Sequence, residues 1–268
     1  LVLVVAPVPM LSSPAAGWPA GEGWVMQPKW DGFRLRVSVD RDARVRAWSR
    51  HGTSLTAGLD DLLQGFTSAP VASVFDAELV SLAQRDGQVV QDFNAVCRAA
   101  LRGDGAAAAQ LRLVAFDVLE LDSQDLRSRP WIERDAQLRS ALPISDRVRV
   151  IQSQRATVEG HRAIVGLGFE GTVLKRSGSA YRPGRQSAWQ KVKARHRATV
   201  TLRSLTAGRD GKTYAVCDLA GRRVVALSGQ HLASQVGGEV ELVYSRVDAD
   251  GSLREARTAS ARELTAPA

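Results

Sequence analysis

Cysteine is scarce in this 268-residue sequence: Cys97 and Cys217 lie far apart and follow no metal-ligand spacing. That excludes a cysteine-ligated metal centre and a disulfide framework. Each sits in an apolar stretch and reads as a reduced core residue of a cytoplasmic protein. Long apolar runs are missing as well. The opening Leu1-Val2-Leu3-Val4-Val5 stops at Pro7, has no basic n-region and is too short to cross a bilayer, so neither a membrane nor export is expected. No internal repeat and no low-complexity segment is visible.

What is present is positive charge. Lys and Arg number 36 against 28 Asp and Glu, a formal net charge of +8. Residues 198–268 are nearly balanced, 9 against 8, so the excess is concentrated in the first 197. That favours an anionic partner, nucleic acid first, and the preference for arginine suits phosphate recognition. The texture changes at the same place. Up to residue 197, strand-like and helix-like stretches alternate. Beyond it come short β-like runs (Val200–Leu202, Tyr214–Val216, Val224–Leu227, Glu239–Val247) separated by Gly-Arg, Gly-Gly and Asp-Gly turns. An α+β domain over 1–197 followed by a small β-barrel over 198–268 is expected.

The first domain is organised around Gln27-Pro28-Lys29-Trp30-Asp31-Gly32-Phe33-Arg34. Alternation from Phe33 to Val39 predicts a strand with one buried face, Phe33, Leu35, Val37 and Val39 opposite Arg34, Arg36 and Ser38. Lys29 then sits at a strand mouth. A turn at Asp40–Ala43 and a return strand Val45–Trp48 lead to a loop, Ser49-Arg50-His51-Gly52. Leu55, Leu59, Leu62, Leu63 and Phe66 follow helical spacing. In Val74–Val80, Asp76 and Glu78 share one face, which is costly to bury unless a cation answers them. A helix is expected around Phe93–Leu101, a loop or frayed end at Gly105–Gln110, and a strand over Leu111–Asp122 with Val114, Phe116 and Val118 on one face. Helices at Trp131–Leu142 and Val158–Leu167 flank a short strand, Arg147–Ile151. The strand Glu170–Lys175 carries a carboxylate at its start. A Gly/Arg/Pro-rich loop then leads to Trp189-Gln190-Lys191-Val192-Lys193, where Lys191 and Lys193 share a face. Taken singly, each feature has a plain reading: a solvated lysine, an exposed sheet face, a core phenylalanine, a charged edge strand.

Together they suit covalent nucleotidyl transfer, in which a lysine amine attacks an α-phosphate and pyrophosphate leaves. A free lysine has a pKa near 10.4, so only about one in a thousand is neutral at pH 7. A second cation about 5 Å away repels it by roughly 3 kcal/mol at an effective dielectric of about 20. Arg34, Lys191 and Lys193 are the candidates for that role, and for neutralising phosphate charge afterwards. The carboxylates suit a divalent cation, and an aromatic face suits a flat base.

Lys29-Trp30-Asp31-Gly32-Phe33-Arg34 resembles the nucleophile motif of the covalent nucleotidyltransferases: DNA ligases, RNA ligases and capping enzymes. Ser49–Gly52, Phe75–Leu79, Phe116-Asp117, Glu170–Lys175 and Trp189–Lys193 are similar, in order, to that superfamily's later motifs. Trp30, Phe116-Asp117 and Arg185-x-Ser187-x-x-Trp189 most resemble ATP-dependent DNA ligases of the compact bacterial type. The resemblance implies an ATP-grasp-like nucleotidyltransferase domain of antiparallel sheets and helices, followed by an OB-fold. It implies a monomer that uses ATP and a divalent metal (Mg or Mn) to seal nicked double-stranded DNA. It also implies roles: Lys29 carrying AMP; Arg34, Lys191 and Lys193 touching its phosphate; Glu78 meeting the ribose or a metal; Glu170 the metal. Phe116 and Val173 would sandwich adenine, with the Gln27 backbone at its amino edge, and Arg50 would hold the 5′-phosphate of the nick.

One part of the pattern is missing. Gly251–Arg257 resembles the approach to a closing Arg-x-Asp-Lys motif, but the sequence continues through Arg262 and Leu264 without it. Lysine adenylation is then expected to be slow, or Arg257 or Arg262 to substitute, and grip on duplex DNA to rest on the two modules. The alternatives are an RNA ligase, a capping-type guanylyltransferase, or a nucleic-acid-binding relative with impaired self-adenylation.

Overall fold

The computed structural model describes residues 8–259 apart from 20, 86–87, 103, 229–231 and 248–251. The apolar opening at 1–5, Gly251, Arg262 and Leu264 lie outside the described residues. The chain divides into two compact units after Val192.

The first unit contains β1 (Met10–Pro14), β2 (Trp24–Pro28), β3 (Phe33–Val39), β4 (Val45–Ser49), β5 (Ser73–Arg85) and β6 (Gln88–Gln91). They are followed by β7 (Leu111–Leu121), β8 (Gln124–Asp125), β9 (Val148–Val150), β10 (Gln154–Arg155), β11 (Gly171–Arg176) and β12 (Gly184–Lys193). The helices are α1 (Asp60–Leu63), α2 (Phe93–Arg102), α3 (Gly105–Ala109), α4 (Trp131–Ala141) and α5 (Val158–Gly166). One sheet runs β1-β12-β11-β2-β10 and the other β4-β3-β5-β7-β8, with β6 on β5 and β9 on β7. Pairing is mostly antiparallel. The β1–β12 and β7–β9 pairs are parallel.

The two sheets pack face to face, so β3 is buried on both sides rather than one. Leu35 and Val37 join the core beneath the helices, and Arg36 and Ser38 are buried as well. The helix expected from Leu55 is shorter. Gly58, at φ +90°, breaks the helical path, and only Asp60–Leu63 and a 3-10 turn, Gln64–Phe66, remain. Its apolar residues Leu59, Leu62, Leu63 and Phe66 are nonetheless core. The alanine run at 105–109 is a helix, not a loop, because the Asp104 carboxylate accepts the Ala107 amide at its N-terminus.

The face assignment on β7 is corrected. Asp76 pairs with Asp117 and Ala77 with Ala115, which leaves Phe116 as the extra residue of a β-bulge. Val118 therefore returns to the helix-side core while Val114 and Phe116 face the other sheet. A single extra residue reverses the parity on which a strand's faces are assigned.

The second unit is a closed barrel ordered β13 (His196–Ala207), β14 (Thr213–Leu219), β15 (Arg222–Leu227), β19 (Arg257–Thr258), β16 (Glu239–Tyr244). A small ribbon, β17 (Arg246–Val247) with β18 (Leu253–Arg254), completes it. Val200, Leu202, Ala215, Cys217, Val224 and Leu242 fill its interior. Cys217 is a core residue, and Cys97 on α2 is half-buried.

Gly32 sets the entry of β3. A Cβ there would lie 2.0 Å from the Leu79 carbonyl oxygen, a backbone atom that cannot swing aside. We expect Gly32→Ala to destabilise the domain by about 1–3 kcal/mol, as overpacking does, and to displace Lys29. Urea unfolding read by tryptophan fluorescence measures the first effect.

Candidate active site

Lys29 lies in the link between β2 and β3, held at both ends. Its amide donates to the Gly171 carbonyl at 2.8 Å, and its ammonium pairs with the Glu170 carboxylate. Gly171 is at φ +143°, which lets β11 begin beside β2 with Glu170 turned toward Lys29. The charged neighbour within ion-pair reach of Lys29 is thus a carboxylate, where sequence reasoning expected cations.

Arg34 is directed elsewhere. It registers opposite Glu78 across β3 and β5, but its guanidinium crosses diagonally to Asp76, with Nε to Oδ1 at 2.8 Å and Nη2 on Oδ2. Nη1 donates to the Met10 carbonyl at 2.6 Å and Nη2 to the Tyr181 hydroxyl at 3.1 Å. Burial works against its charge, but the Asp76 carboxylate overrides that and raises its pKa above the ordinary arginine value. Asp76 is fully buried, so the cation that the paired acidic residues required is Arg34.

Glu78, on the same face, is half-buried and forms no ion pair among the described residues. Burial pushes its pKa up to about 7, with Lys29 and Arg34 pulling the other way and Asp76 and Asp31 adding to the rise. Glu78, Lys29 and Glu170 therefore form one electrostatic group. Among the described residues no three His, Cys, Asp or Glu side chains are placed to hold a metal by themselves.

Phe116 projects between the sheets from its bulge, edge to face with Trp189 at 6.2 Å and 5.1 Å from the Arg34 guanidinium. Val173, half-buried on β11, registers with Gln27 on β2. The Gln27 side chain is buried and donates to Ser153 at 3.0 Å. By alternation along β12, Lys191 and Lys193 share the face of Trp189, while Val192 packs on the other side. Lys193 falls in the second unit, where it pairs with Glu255. Arg50 is exposed on its loop, its Nε donating to His51 Nε2 at 2.9 Å. The structure thus brings Lys29, Glu170 and Glu78 together, sets Phe116, Val173 and Gln27 on facing or adjacent strands, and leaves Arg50 outside that cluster.

Two residues escaped the sequence reading. Lys175 is buried on β11, its Nζ donating to the Phe116 carbonyl at 3.0 Å and lying 4.1 Å from the Trp189 ring centre. Burial lowers its pKa to about 7, against the pull of Asp117 and with Arg134 adding to the fall. Its spacing of two from Val173 signalled a shared face. Tyr181 donates to Asp76 Oδ2 at 2.7 Å from an irregular loop, where no periodicity could have marked it.

Ligase domains are among the solved structures similar in architecture. The ligase domain of Mycobacterium tuberculosis LigD superposes with a TM-score of 0.59 at 23% identity, covering 94% of this chain and 93% of that one. A Lig E DNA ligase gives 0.64 at 20% identity, covering 88% and 91%. These likenesses define the fold as a nucleotidyltransferase domain followed by an OB barrel. Sequence goes further. Residues 9–193 match the model of the ATP dependent DNA ligase domain, and the chain belongs to that family. It is 31% identical over 223 residues to a probable DNA ligase of Streptomyces griseus, covering 78% of this chain and 41% of that protein. It is 30% identical over 211 residues to the multifunctional non-homologous end joining protein LigD of Pseudomonas aeruginosa, covering 77% and 24%. The chain spans less than half the length of either relative.

The raised pKa of Glu78 has a signed consequence. Between about pH 4.5 and 7 the folded state holds a proton that the unfolded chain releases, so stability falls as pH rises through that window. Glu78→Gln should remove this loss. Its stability is expected to exceed the parent's at pH 7.5 by on the order of 1 kcal/mol, read as a higher melting temperature, and to match it near pH 4.5.

Proposed function

We propose that this chain is the catalytic core of an ATP-dependent DNA ligase that seals nicks in duplex DNA through AMP carried on Lys29. The observation that carries the reading is the seating of Lys29. Its backbone is fixed to Gly171 and its ammonium meets the adjacent Glu170, so nucleophile and carboxylate arrive from two neighbouring strands of one sheet.

In the first step the neutral Lys29 amine attacks the α-phosphorus of ATP. An N–P bond forms, the P–O bond to pyrophosphate breaks, and Glu170 is the base in reach of the departing ammonium proton. In the second step a 5′-phosphate oxygen of the nick attacks the same phosphorus, the N–P bond breaks and Lys29 regains a proton. In the third a 3′-hydroxyl displaces AMP and joins the strand. Adenine is assigned to the space between Val173 and Phe116, with the Gln27 backbone at its edge. Lys191 and Lys193 are assigned to the phosphates, Glu78 to the ribose or a metal, and Arg50 to the 5′-phosphate.

Arg34 takes a different part from the phosphate contact expected. With Nε, Nη1 and Nη2 engaged by Asp76, Met10 and Tyr181, its role is to hold the floor of the cleft. The donor chemistry of Glu78 and Glu170 fits Mg or Mn, hard cations that take carboxylate oxygens and let substrate phosphates complete the shell. Such an ion would neutralise phosphate charge as pyrophosphate leaves. All assigned residues come from one chain, so a monomer suffices. No helix among the described residues is long and apolar enough to cross a membrane.

Incubation with ATP or GTP labelled at the α-phosphate tests the reading. Covalent label from ATP that is acid-labile and alkali-stable, as an N–P bond requires, supports it; label from GTP alone would sink it in favour of a guanylyltransferase. Lys29→Ala should abolish labelling by at least about a thousandfold, as loss of a covalent nucleophile does, and still seal pre-adenylated nicked DNA in part. Equal loss of both steps would make Lys29 structural.

A further inference from the structure

Arg36 is a buried charge that the ligase reading leaves unused. It is 2% exposed, on the face of β3 that it shares with Arg34 and Ser38. In the strand register its partner is Asp76, but both oxygens of that carboxylate are taken by Arg34 and the Tyr181 hydroxyl. Arg36 Nη2 donates to the Ser49 carbonyl at 2.8 Å. Its Nε and Nη1 are buried and meet no hydrogen-bond partner among the described residues. Burial lowers its pKa, against the pull of Asp76. Arg134 shows the contrast. Equally buried, it forks onto Asp117 at 2.8 and 2.9 Å and also donates to two carbonyls. An apolar side chain of similar volume would be the more stable occupant of position 36 if packing were all that counted.

The single bond that Arg36 makes goes to the hub of the loop bearing Arg50. The Ser49 amide donates to the Thr53 carbonyl at 2.8 Å, and its own carbonyl receives the Gly52 amide at 3.0 Å. The Ser49 hydroxyl accepts the His51 and Thr53 amides, each at 3.2 Å. Gly52, at φ +86°, closes the turn. The loop's internal hydrogen bonds therefore converge on Ser49, the last residue of β4 and the partner of Leu35 in register, and Arg36 adds a side-chain bond to its carbonyl.

We propose that Arg36 is a positioning residue for nucleic-acid binding, fixing the Ser49–Thr53 loop so that Arg50 is presented to a strand phosphate in one place. The inference rests on the ligase reading of Arg50. A loop ordered beforehand does not lose that freedom on binding, which is what favours retaining an incompletely hydrogen-bonded buried cation here.

The experiment is a double-mutant cycle on nicked-duplex binding by the full chain, with Arg36→Met, Arg50→Ala and the double variant, and Arg36→Lys alongside. Arg36→Met should weaken binding about tenfold, the worth of one charge-assisted hydrogen bond. Arg36→Lys, which keeps a donor for the Ser49 carbonyl, should recover most of it. In the Arg50→Ala background, Arg36→Met should cost little more. Unchanged binding, or the same loss with and without Arg50, overturns the proposal. So does a fall in self-adenylation as large as the fall in binding, which would mark a structural role. If Arg36→Met does not fold, Arg36→Leu, which also removes the donor, takes its place in the cycle under the same coupling criterion. A parent chain that neither labels with ATP nor binds the nick overturns the ligase reading as well; one that does both, with no coupling, overturns the role of Arg36 alone.

Discussion

The two-sheet domain depends on one buried knot of polar atoms. Asp76 on β5 accepts the forked guanidinium of Arg34 and the hydroxyl of Tyr181, while Arg34 reaches the Met10 carbonyl and Met10 returns its amide to Tyr181 at 3.0 Å. Arg34 and Asp76 belong to one sheet. Met10 and Tyr181 come from the strand and loop that build the other. A knot of this kind adds little net stability, because desolvating the ions costs about what their attraction returns. Its contribution is geometric. A planar fork and a carboxylate meet in few orientations, so the sheets are held at one separation, and the cleft between them inherits that precision.

A second pair, Asp117 with Arg134, repeats the device beneath Phe116, with both side chains fully buried. With the charges of these two pairs answered, Glu78 and Lys175 remain open to tuning. Glu78 faces the cleft from one sheet and Lys175 is buried on the other, and burial brings both to about 7. Both respond to pH in the same sense. Below neutrality Glu78 is neutral and Lys175 charged; above it the reverse holds, so the cleft becomes more negative as pH rises. An anion in the cleft is held most readily on the acid side of that change.

Much of this was legible in the sequence because strand periodicity is short and strict. Alternation correctly predicted β3, β4, β5 and β11, and glycine with a change of texture marked the barrel. What alternation cannot show is a second sheet covering the polar face, so by alternation alone β3 is half-buried and Arg36 points outward. The helix expected after Leu55 is longer than the one formed, because the apolar spacing continues through Gly58 while the helical backbone does not. Local capping by Asp104 made a helix of an alanine run that looked frayed. The side chain answering Asp76 was within reach of inference, since Arg34 sits two positions along the paired strand. Tyr181, more than a hundred residues away in an irregular loop, was not.

The bulge at Phe116 joins fold to site most directly. In a regular strand Phe116 and Asp117 would point to opposite faces, and only one could serve the space between the sheets. With one extra residue in β7, Asp117 aligns with Asp76 and Phe116 also projects inward. Two consecutive side chains thus act on the same side. Asp117 neutralises Arg134 beneath the cleft, and Phe116 offers its ring within it while its carbonyl holds Lys175. The aromatic-acid pair that resembles a motif is therefore an instruction to the backbone as much as a pair of functional groups. Its spacing works only because the strand breaks its own alternation at that point.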